Sequence, residues 1–435
     1  MRTVQYALLL LVAACHAAAP RPERADSGWS RFRGPNGTGI ATGSGYPAQI
    51  GPEKSVLWKR SFPAGFSSPV IGAGRLFLTG MEEDRLFTYG LDPQTGATTW
   101  RRESPRPRRT SFQVINHPAS ASPAVDGNVV VVFFDEYGLL AYSTDGEVLW
   151  RVPRPSAISG HCTPVVYRTQ EGRDLVLLPG SYLLDAYDAR TGERVWWVRG
   201  LPSEMKAVPA LLGSTLWTHG FASPMNNRGQ QIYLPEYAVA IEERDANGDG
   251  KISPAEVGEP QVEELFVFFD LDADGYLTEV DWDSTRAALE AVNSAMAIRI
   301  RDDYRGDVSE AAVQWTAYRD IPQLPSPLVV DSRYYMLADQ GGLLTYLDAG
   351  TGARLDKVRL KDAVDAYYAS PVAADGKVYL VSESGIVTVL AAGGDSEPLC
   401  TGEMGENCYA TPALEGGRIW LRTASKLYCF EEPEP

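Results

Sequence analysis

An acidic twelve-residue segment near the middle of the chain has the residue types and spacing of calcium ligands. In this segment, DANGDGKISPAE, side-chain oxygens stand at positions 1, 3, 5, 9 and 12, on Asp245, Asn247, Asp249, Ser253 and Glu256. Lys251 at position 7 supplies a backbone carbonyl, and Gly250 at position 6 allows the chain to turn sharply. Calcium takes roughly six to eight oxygen ligands in one shell, and this spacing wraps them around one point. We therefore predict a calcium site here.

A second segment, DLDADGYLTEVD, begins 25 residues later and repeats the pattern. Its predicted ligands are Asp270, Asp272, Asp274, Tyr276 through its carbonyl, Thr278 and Asp281. Because Asp281 is one methylene shorter than Glu256, we expect weaker calcium binding here or a preference for magnesium. Both segments fit the EF-hand loop, and Ile252 and Leu277 at the eighth position predict a short β-bridge between them. A solvated acidic surface would explain the charge but not the glycines and apolar residues in register.

The rest of the chain is a repeat of short strands. Residues 369–390 show the unit: small residues before a proline, a turn at Asp375 and Gly376, the strand KVYLVS, a second turn and the strand IVTVL. The unit prolines are Pro69, Pro123, Pro164, Pro209, Pro327, Pro371 and Pro412. Units of roughly 40–45 residues with four short strands are typical of propeller blades. We therefore predict an all-β fold, a β-propeller with seven four-stranded blades, eight being left open.

The ring of blades needs a closing strand and contains one interruption. The last unit lacks a fourth strand, and SVLWKRSF near the N-terminus has the pattern to supply it. Trp100, Trp150 and Trp196 follow the turn glycines at a constant offset, so we expect them to pack between blades. The distance from Pro209 to Pro327 is 118 residues, which places a helical EF-hand insertion between the second and third strands of blade four. The predicted division is 27–233 for the first blades, 234–293 for the EF-hand pair and 294–435 for the remaining blades.

A second candidate site lies where the first strands begin. The residues three positions before the unit prolines are Phe66, Ser120, His161, Lys206, Leu324, Tyr368 and Tyr409. If first strands line a central channel, these side chains form a ring at one mouth. We take His161, Lys206, Tyr368 and Tyr409 as candidate ligand contacts, and such a mixture suits a planar anionic ligand. A solvated pore lining without a ligand is the alternative.

The N-terminus indicates export. Residues 1–19 have a basic start, a short apolar run and then small residues, which is typical of a secretory signal and too short to span a bilayer. Cys15 stands at a lipobox-like position, so either a lipid anchor or free secretion follows. In an exported protein Cys400 and Cys408 are placed to form a disulfide. A net charge of −16 argues against nucleic-acid binding.

The amino-acid sequence of the repeat resembles that of the PQQ-binding-like β-propeller repeat family. The resemblance rests on YGLDPQTGATTWR, on AYDARTGERVWW and on WSRFRGPNGTG, which is similar to the N-terminal segment of exported bacterial members. That family contains quinoprotein alcohol dehydrogenases and non-enzymatic scaffolds, so the fold does not choose between them. The adjacent cysteine pair of the dehydrogenases is absent here. We expect a periplasmic, outer-membrane or extracellular binding module for a protein or small ligand, with a PQQ-dependent oxidoreductase as the alternative.

Overall fold

The computed structural model describes residues 28–107, 117–134, 137–153, 163–180, 182–191, 193–202, 204–222, 228–270, 274–394 and 397–433. The predicted signal segment 1–19, with Cys15, lies outside these ranges. Short strands, nearly all antiparallel, are the main regular structure of the described chain, and most of its helical residues lie in one segment. No helix in these ranges combines the length and apolar character needed to cross a membrane.

The described strands form seven sheets of four antiparallel strands, which confirms the predicted seven-bladed propeller. First strands of neighbouring sheets contact one another, so they line the centre of the ring. In chain order the strands of the first three blades, preceded by the N-terminal strand, are β1 (Val56–Ser61), β2 (Val70–Gly72), β3 (Arg75–Glu82), β4 (Arg85–Leu91), β5 (Thr98–Glu103), β6 (Ala124–Asp126), β7 (Val129–Phe134), β8 (Gly138–Ser143), β9 (Val148–Pro153), β10 (Val165–Arg168), β11 (Asp174–Pro179), β12 (Leu183–Asp188) and β13 (Arg194–Arg199).

The second half of the ring follows the same plan. Its strands are β14 (Ala210–Leu212), β15 (Thr215–Gly220), β16 (Ser294–Arg299), β17 (Gly306–Asp307), β18 (Val313–Ala317), β19 (Leu328–Val330), β20 (Arg333–Leu337), β21 (Leu343–Asp348), β22 (Arg354–Arg359), β23 (Val372–Ala374), β24 (Lys377–Val381), β25 (Ile386–Ala391), β26 (Cys400–Glu403), β27 (Ala413–Glu415), β28 (Arg418–Arg422) and β29 (Lys426–Glu431). As predicted, β1 pairs with β29, with Trp58 opposite Cys429, and completes blade 7. The closure removes two free sheet edges at once.

One strand was not anticipated. Strand β17, in the connection between β16 and β18 of blade 4, pairs in parallel with β13 of blade 3, so that Trp196 faces Gly306. Blade 3 therefore has a fifth strand that covers its outer edge.

Tryptophans of the outer strands dock onto the next blade. The indole N–H groups of Trp58, Trp100 and Trp315 donate to backbone carbonyls of the neighbouring blade at 3.0, 2.8 and 3.0 Å. Each ring covers a turn glycine of positive φ, at which a Cβ would come within 2.5–2.7 Å of the ring. These glycines are Gly96, Gly146 and Gly352. The turn glycine therefore serves both the turn and the contact between blades.

Trp150 departs from this pattern. Trp100 and Trp196 are buried as predicted, but Trp150 is 42% exposed. In the described residues no apolar cluster joins blade 2 to blade 3, whereas clusters join every other pair of neighbours. Trp150 lacks an apolar surface of blade 3 to pack against, so the prediction is wrong for this residue.

Hydroxyl groups before the unit prolines tie neighbouring blades together. The Ser68 N–H donates to the Ser122 hydroxyl at 2.8 Å, and the Ser326 N–H donates to the Ser370 hydroxyl at 3.0 Å. The Ser370 N–H donates in turn to Thr411 at 2.9 Å, and the Thr411 N–H returns to Ser68 at 3.0 Å. The last of these bonds joins blade 7 to blade 1 and closes the ring at its centre.

Residues 28–41, which we call the strap, lie across the innermost strands. The N–H groups of Ile71, Val125 and Ala373 donate to carbonyls of the strap at 2.8, 2.7 and 2.7 Å. The Asn36 side chain pairs with both backbone groups of Val166, at 2.8 and 2.9 Å. The strap thus gives hydrogen-bond partners to inner strand edges that face the channel, and it occupies that end of the channel.

Arg33 fixes the strap in place. Its side chain is fully buried, and its five donors go to backbone carbonyls at 2.5–3.3 Å. The acceptors are Gly37, Thr38, Ser326, Pro327 and Pro371. Burial lowers the pKa of Arg33 to about 9, so the guanidinium stays charged at neutral pH. The strap is thereby joined to blades 5 and 6.

A helical segment interrupts blade 4. It contains α1 (Tyr237–Arg244), α2 (Pro260–Glu264), α3 (Phe266–Phe269) and α4 (Glu279–Glu290), between β15 and β16, and a further short helix α5 (Ser309–Ala312) precedes β18. The two strands stay paired where the segment leaves and returns, with Gly220 opposite Ser294. Its own core centres on Trp282, which is fully buried and donates to the Pro235 carbonyl at 2.9 Å.

The disulfide that the sequence left open between Cys400 and Cys408 is not formed. Cys400, Cys408 and Cys429 are all free thiols. Cys400 lies on β26 opposite Val389, whereas Cys408 is buried in the core shared by blades 6, 7 and 1, so the two sulfur atoms belong to different environments. Cys162 lies outside the described residues.

We expect Arg33→Lys to destabilise the ring strongly. Lysine keeps the charge but has three donors for five buried carbonyls, so the free energy of unfolding should fall by about 3 kcal/mol or more. The measurement is chemical denaturation followed by tryptophan fluorescence. The control is Arg60→Lys, an exposed arginine that donates to the Thr95 carbonyl at 3.0 Å, for which we expect less than about 0.5 kcal/mol. Equal losses for both variants would contradict the role given to Arg33.

Candidate functional site

Four rings form a continuous wall at the end of the channel opposite the strap. Phe66 and Tyr409 are stacked with centroids 4.1 Å apart, and Tyr368 lies 5.4 Å from Tyr409. The imidazole of His117 lies 5.3 Å from Phe66. All four side chains are partly exposed. Apart from the Arg33 bond to Ser326, the strap's hydrogen bonds to the inner strands go to residues at or after the unit prolines, whereas the four rings stand three or more positions before those prolines, so this aromatic wall borders the other mouth.

Carboxylates lie beside the aromatic wall. The Tyr409 hydroxyl donates to Glu383 Oε1 at 3.1 Å. The pKa of Tyr368 is raised, first by burial and then by the negative charge of Glu383, with a smaller effect of Asp339. Both carboxylates are therefore close enough to the ring to act on its hydroxyl.

Lys206, the predicted basic contact, faces the wall from blade 4 and is already paired. Its ammonium donates to Glu204 Oε2 at 2.7 Å, and the Gln323 amide donates to the same oxygen at 2.7 Å. Asp339 accepts the backbone N–H groups of Gln323 and Leu324, each at 2.7 Å. Burial raises the pKa of Asp339. This side of the mouth is thus a network of polar groups in which the one lysine is neutralised.

A neutral histidine is buried between blades 4 and 5. His219 is buried, with Nε2 2.9 Å from the Pro325 carbonyl and Nδ1 2.9 Å from the Tyr334 hydroxyl. Because a carbonyl only accepts, Nε2 carries the proton and Nδ1 accepts from Tyr334. Burial lowers the pKa of His219 to about 4, and the nearby Arg33 charge acts in the same direction.

The first acidic loop is wound tightly around its own carboxylates. Asp245 accepts the N–H groups of Gly248 and Gly250 at 2.7 and 2.8 Å. Glu256 reaches back across the loop to accept the Ala246 N–H at 3.0 Å, and it also accepts the Ser253 hydroxyl at 2.6 Å. These hydrogen bonds, that of the Ser253 hydroxyl first, lower the pKa of Glu256. The side chains of the first and last residues of the loop therefore both hold its backbone near its start.

The second loop has the same turn geometry and is joined to the first. Asp270 accepts the N–H groups of Asp274 and Gly275 at 3.1 and 2.8 Å, as Asp245 does in the first loop. Ile252 and Leu277, both fully buried, exchange backbone hydrogen bonds of 3.1 and 2.8 Å.

A side-chain ion pair adds a second link between the loops. Lys251 Nζ lies 2.6 Å from Asp274 Oδ2, and this contact is the main cause that lowers the pKa of Asp274. The shorter Asp281 is buried and accepts the Thr278 N–H and hydroxyl at 2.9 and 2.5 Å.

All the atoms predicted to bind metal in the two acidic loops are oxygen atoms. Asn247 and Asp249 lie on the first loop with their side chains engaged in loop turns at 2.8 and 3.0 Å. Within the described ranges no group of three or more His, Cys, Asp or Glu side chains is arranged to hold a metal ion. Asp272, the third ligand of the second loop, lies outside those ranges. The donor chemistry is that of a hard cation such as calcium.

The helical segment borders the channel mouth through Tyr182. This residue, in the turn between β11 and β12, packs against the core of the segment. Burial raises its pKa to about 12, while a hydrogen bond with Ser284 of α4 lowers it and the charge of Glu204 raises it. Glu204 also exchanges backbone hydrogen bonds with Phe221, at 2.8 and 3.1 Å, where the chain leaves β15. The loops and the mouth thus share one face of the ring.

Sequence reasoning located part of this mouth. Tyr368 and Tyr409 lie together with Phe66, and Lys206 lies across from them; His161 is outside the described residues. The carboxylates Glu383 and Asp339 were missed, because they stand in the turns after second strands. The signal was present in the repeat: acidic residues occupy equivalent turns of two consecutive blades.

A known protein family matches two parts of the chain. Residues 48–204 and 253–433 match the family described as outer membrane protein assembly factor BamB. The chain belongs to this family. The membership confirms the predicted relationship to the propeller repeat family and agrees with the seven-bladed ring. No curated protein matches the chain.

Three solved structures are similar to the chain at low identity. BamB from Moraxella catarrhalis has 12% identity over 86% of this chain and 99% of its own, with a TM-score of 0.43. A europium-containing methanol dehydrogenase has 11% identity over 94% and 98%, with a TM-score of 0.47. The quinohemoprotein alcohol dehydrogenase from Comamonas testosteroni has 12% identity over 94% and 82%, with a TM-score of 0.45. Likenesses of this size assign neither a ligand nor an activity to this chain.

We expect His219 to make stability sensitive to acid. Its pKa is about 4 in the fold and about 6.5 in an unfolded chain, so the unfolded state binds the proton first. Stability from the neutral ring is complete above pH 6.5 and is lost as the pH falls towards 4, by about 3 kcal/mol.

The test compares the wild type with His219→Gln. Glutamine retains a donor for the Pro325 carbonyl and does not titrate. We expect the free energy of unfolding, measured by urea denaturation between pH 7 and pH 4, to fall less steeply in the variant. Parallel curves for the two proteins would contradict this account; His117, whose pKa is also lowered to about 4, is present in both.

Proposed function

We propose that this chain is an exported, calcium-binding β-propeller that acts as a binding or scaffold module rather than as an enzyme. The observation that carries the proposal is the pair of acidic loops, joined by the bridge between Ile252 and Leu277. Two loops with oxygen ligands, turn glycines and a shared bridge have the organisation of a calcium-binding pair.

The ligands would come from side chains and carbonyls of both loops. The first ion would be held by Asp245, Asn247, Asp249, the Lys251 carbonyl, Ser253 and Glu256. The second would be held by Asp270, Asp272, Asp274, the Tyr276 carbonyl, Thr278 and Asp281, with magnesium as an acceptable occupant. A bound ion would replace hydrogen bonds within each loop by coordination and so order the whole segment.

The channel mouth is the surface we propose for a partner. It is lined by partly exposed aromatic side chains, which are efficient contacts in binding sites, and the strap closes the other end. Membership of the BamB family supports a scaffold role, and residues 1–19 support export to the periplasm, the outer membrane or the exterior, with Cys15 as the site of a lipid anchor. The partner would be a protein or a small ligand.

We expect calcium to bind with a dissociation constant between about 0.1 μM and 1 mM, the interval that runs from sensor EF-hands to extracellular ones. Titration calorimetry of the whole chain should show one stronger and one weaker site. The double variant Asp245→Ala with Glu256→Ala should lose the stronger site. The control, Glu242→Gln with Glu263→Gln, changes two exposed acidic residues of α1 and α2 and should keep both. Absence of calcium binding by the wild type up to millimolar concentration would reject the metal-binding part of the proposal.

We expect no quinoprotein activity. Incubation with PQQ and calcium should leave no bound-cofactor absorbance, and dye-linked oxidation of alcohols should stay at the rate without protein. Bound PQQ together with turnover would replace the scaffold proposal by an oxidoreductase.

A further inference from the structure

We propose that the channel mouth binds an organic cation, an alkylammonium or guanidinium group carried on an apolar stem. The inference rests on the proposed function in that it takes the mouth as the binding surface, but it does not depend on calcium. It reverses the charge of the ligand that the ring of residues alone had indicated.

The aromatic wall supplies the faces that attract a cation. Tyr368, Tyr409 and Phe66 follow one another at 5.4 and 4.1 Å, and they come from three consecutive blades. A cation over the face of an aromatic ring is stabilised by the ring quadrupole, most strongly where water is partly excluded. The same faces offer apolar surface to the stem that carries the charge.

The carboxylates set the sign of the charge. Glu383 is held against the wall by the Tyr409 hydroxyl at 3.1 Å, which places a negative charge at the edge of the rings. The Asp339 carbonyl accepts the N–H of Tyr367, the neighbour of Tyr368, at 2.9 Å, and the Asp339 charge contributes to the raised pKa of Tyr368. A cation at the wall would therefore meet two carboxylates, whereas an anion would be repelled by both.

Among the described residues, the positive groups that border the wall do not offset this preference; Arg106, which also acts on His117, is itself buried and paired with Asp84. Lys206 is paired with Glu204 at 2.7 Å. His117 is neutral at neutral pH, because burial, and secondly the charge of Arg422, lowers its pKa to about 4. Arg422 itself is only 2% exposed and donates to the carbonyls of Pro63 and Thr79 at 2.7 and 2.9 Å, so it is not accessible to a ligand.

Three probes of nearly equal shape test the sign of the charge. Benzylammonium, benzyl alcohol and benzoate share one ring and differ in charge. We expect calorimetry at low salt to give the cation at least about tenfold tighter binding than the alcohol, and benzoate the weakest binding. Equal binding of the three, or tighter binding of benzoate, would overturn the proposal.

Variants of the mouth locate the site. Glu383→Gln removes a charge with little change of shape, and Tyr368→Leu removes one ring face. Each should weaken the binding of the cation by about tenfold. Glu147→Gln removes an exposed carboxylate from a turn of blade 2 and should change nothing. Undiminished binding by Glu383→Gln, with the circular dichroism spectrum intact, would overturn the proposal even if Tyr368→Leu fails to fold.

Two further measurements complete the test. One distinguishes a small molecule from a polypeptide as the source of the cation, and the other distinguishes failure of this inference from failure of the metal-binding proposal. N-acetyl-lysine amide and an extended alanine peptide with alternating lysines carry the same ammonium group. Equal binding indicates a small-molecule ligand and tighter peptide binding a polypeptide, and either supports the cation chemistry. Calcium titration of the same samples tests the acidic loops independently of the mouth. Calcium binding with no binding of any probe rejects this inference alone. Probe binding with no binding of calcium rejects the metal-binding proposal alone.

Discussion

The inner edge of every blade must find hydrogen-bond partners inside the channel, and the rest of the structure depends on how this is achieved. A propeller removes its outer edges by closing the ring, but its innermost strands still present unpaired backbone groups to the channel. The strap answers this need with its own backbone, with Asn36 and with the hydrogen bonds that Arg33 donates to Ser326, Pro327 and Pro371. The same contacts close one end of the channel and leave the aromatic wall at the other.

The fold was predictable where its determinants are local. A turn glycine followed by a tryptophan repeats along the chain, because the tryptophan of one blade packs on the turn glycine of the next. Trp100 on Gly146 shows that two residues suffice to mark such a junction in the sequence. The predicted pairing of β1 with the last strand followed from counting strands. Trp150 marks the limit of this reasoning, because an outer-strand tryptophan is buried only if the next blade offers an apolar surface.

The remaining features depend on residues far apart in the chain. Arg33 contacts Pro327 across 294 positions, and the Thr411 N–H reaches Ser68 across 343. Such contacts leave no spacing pattern, so the sequence marked the strap only as irregular, glycine- and proline-rich chain. The acidic loops are the opposite case. Their ligand pattern lies within twelve residues, and their bridge joins two residues fixed by that pattern.

The channel mouth combines both situations, which explains why its residues were found and its charge was not. Repeat position selects one residue per blade at the start of the first strand, and it brought Tyr368 and Tyr409 together correctly. The carboxylates come from the next turn of each blade, Asp339 in blade 5 and Glu383 in blade 6, so they belong to a different register of the repeat. The net charge of a site built from two repeat positions cannot be read from either position alone.

The position of the helical segment gives these two sites a common boundary. Helix α4 begins in the second acidic loop, and it carries Ser284 to Tyr182, whose hydroxyl also responds to the charge of Glu204. Glu204 in turn holds Lys206 at the mouth. One helix of three turns therefore separates the end of the second acidic loop from the polar side of the mouth. A segment inserted in any other blade would leave the loops and the network around Lys206 without such a contact.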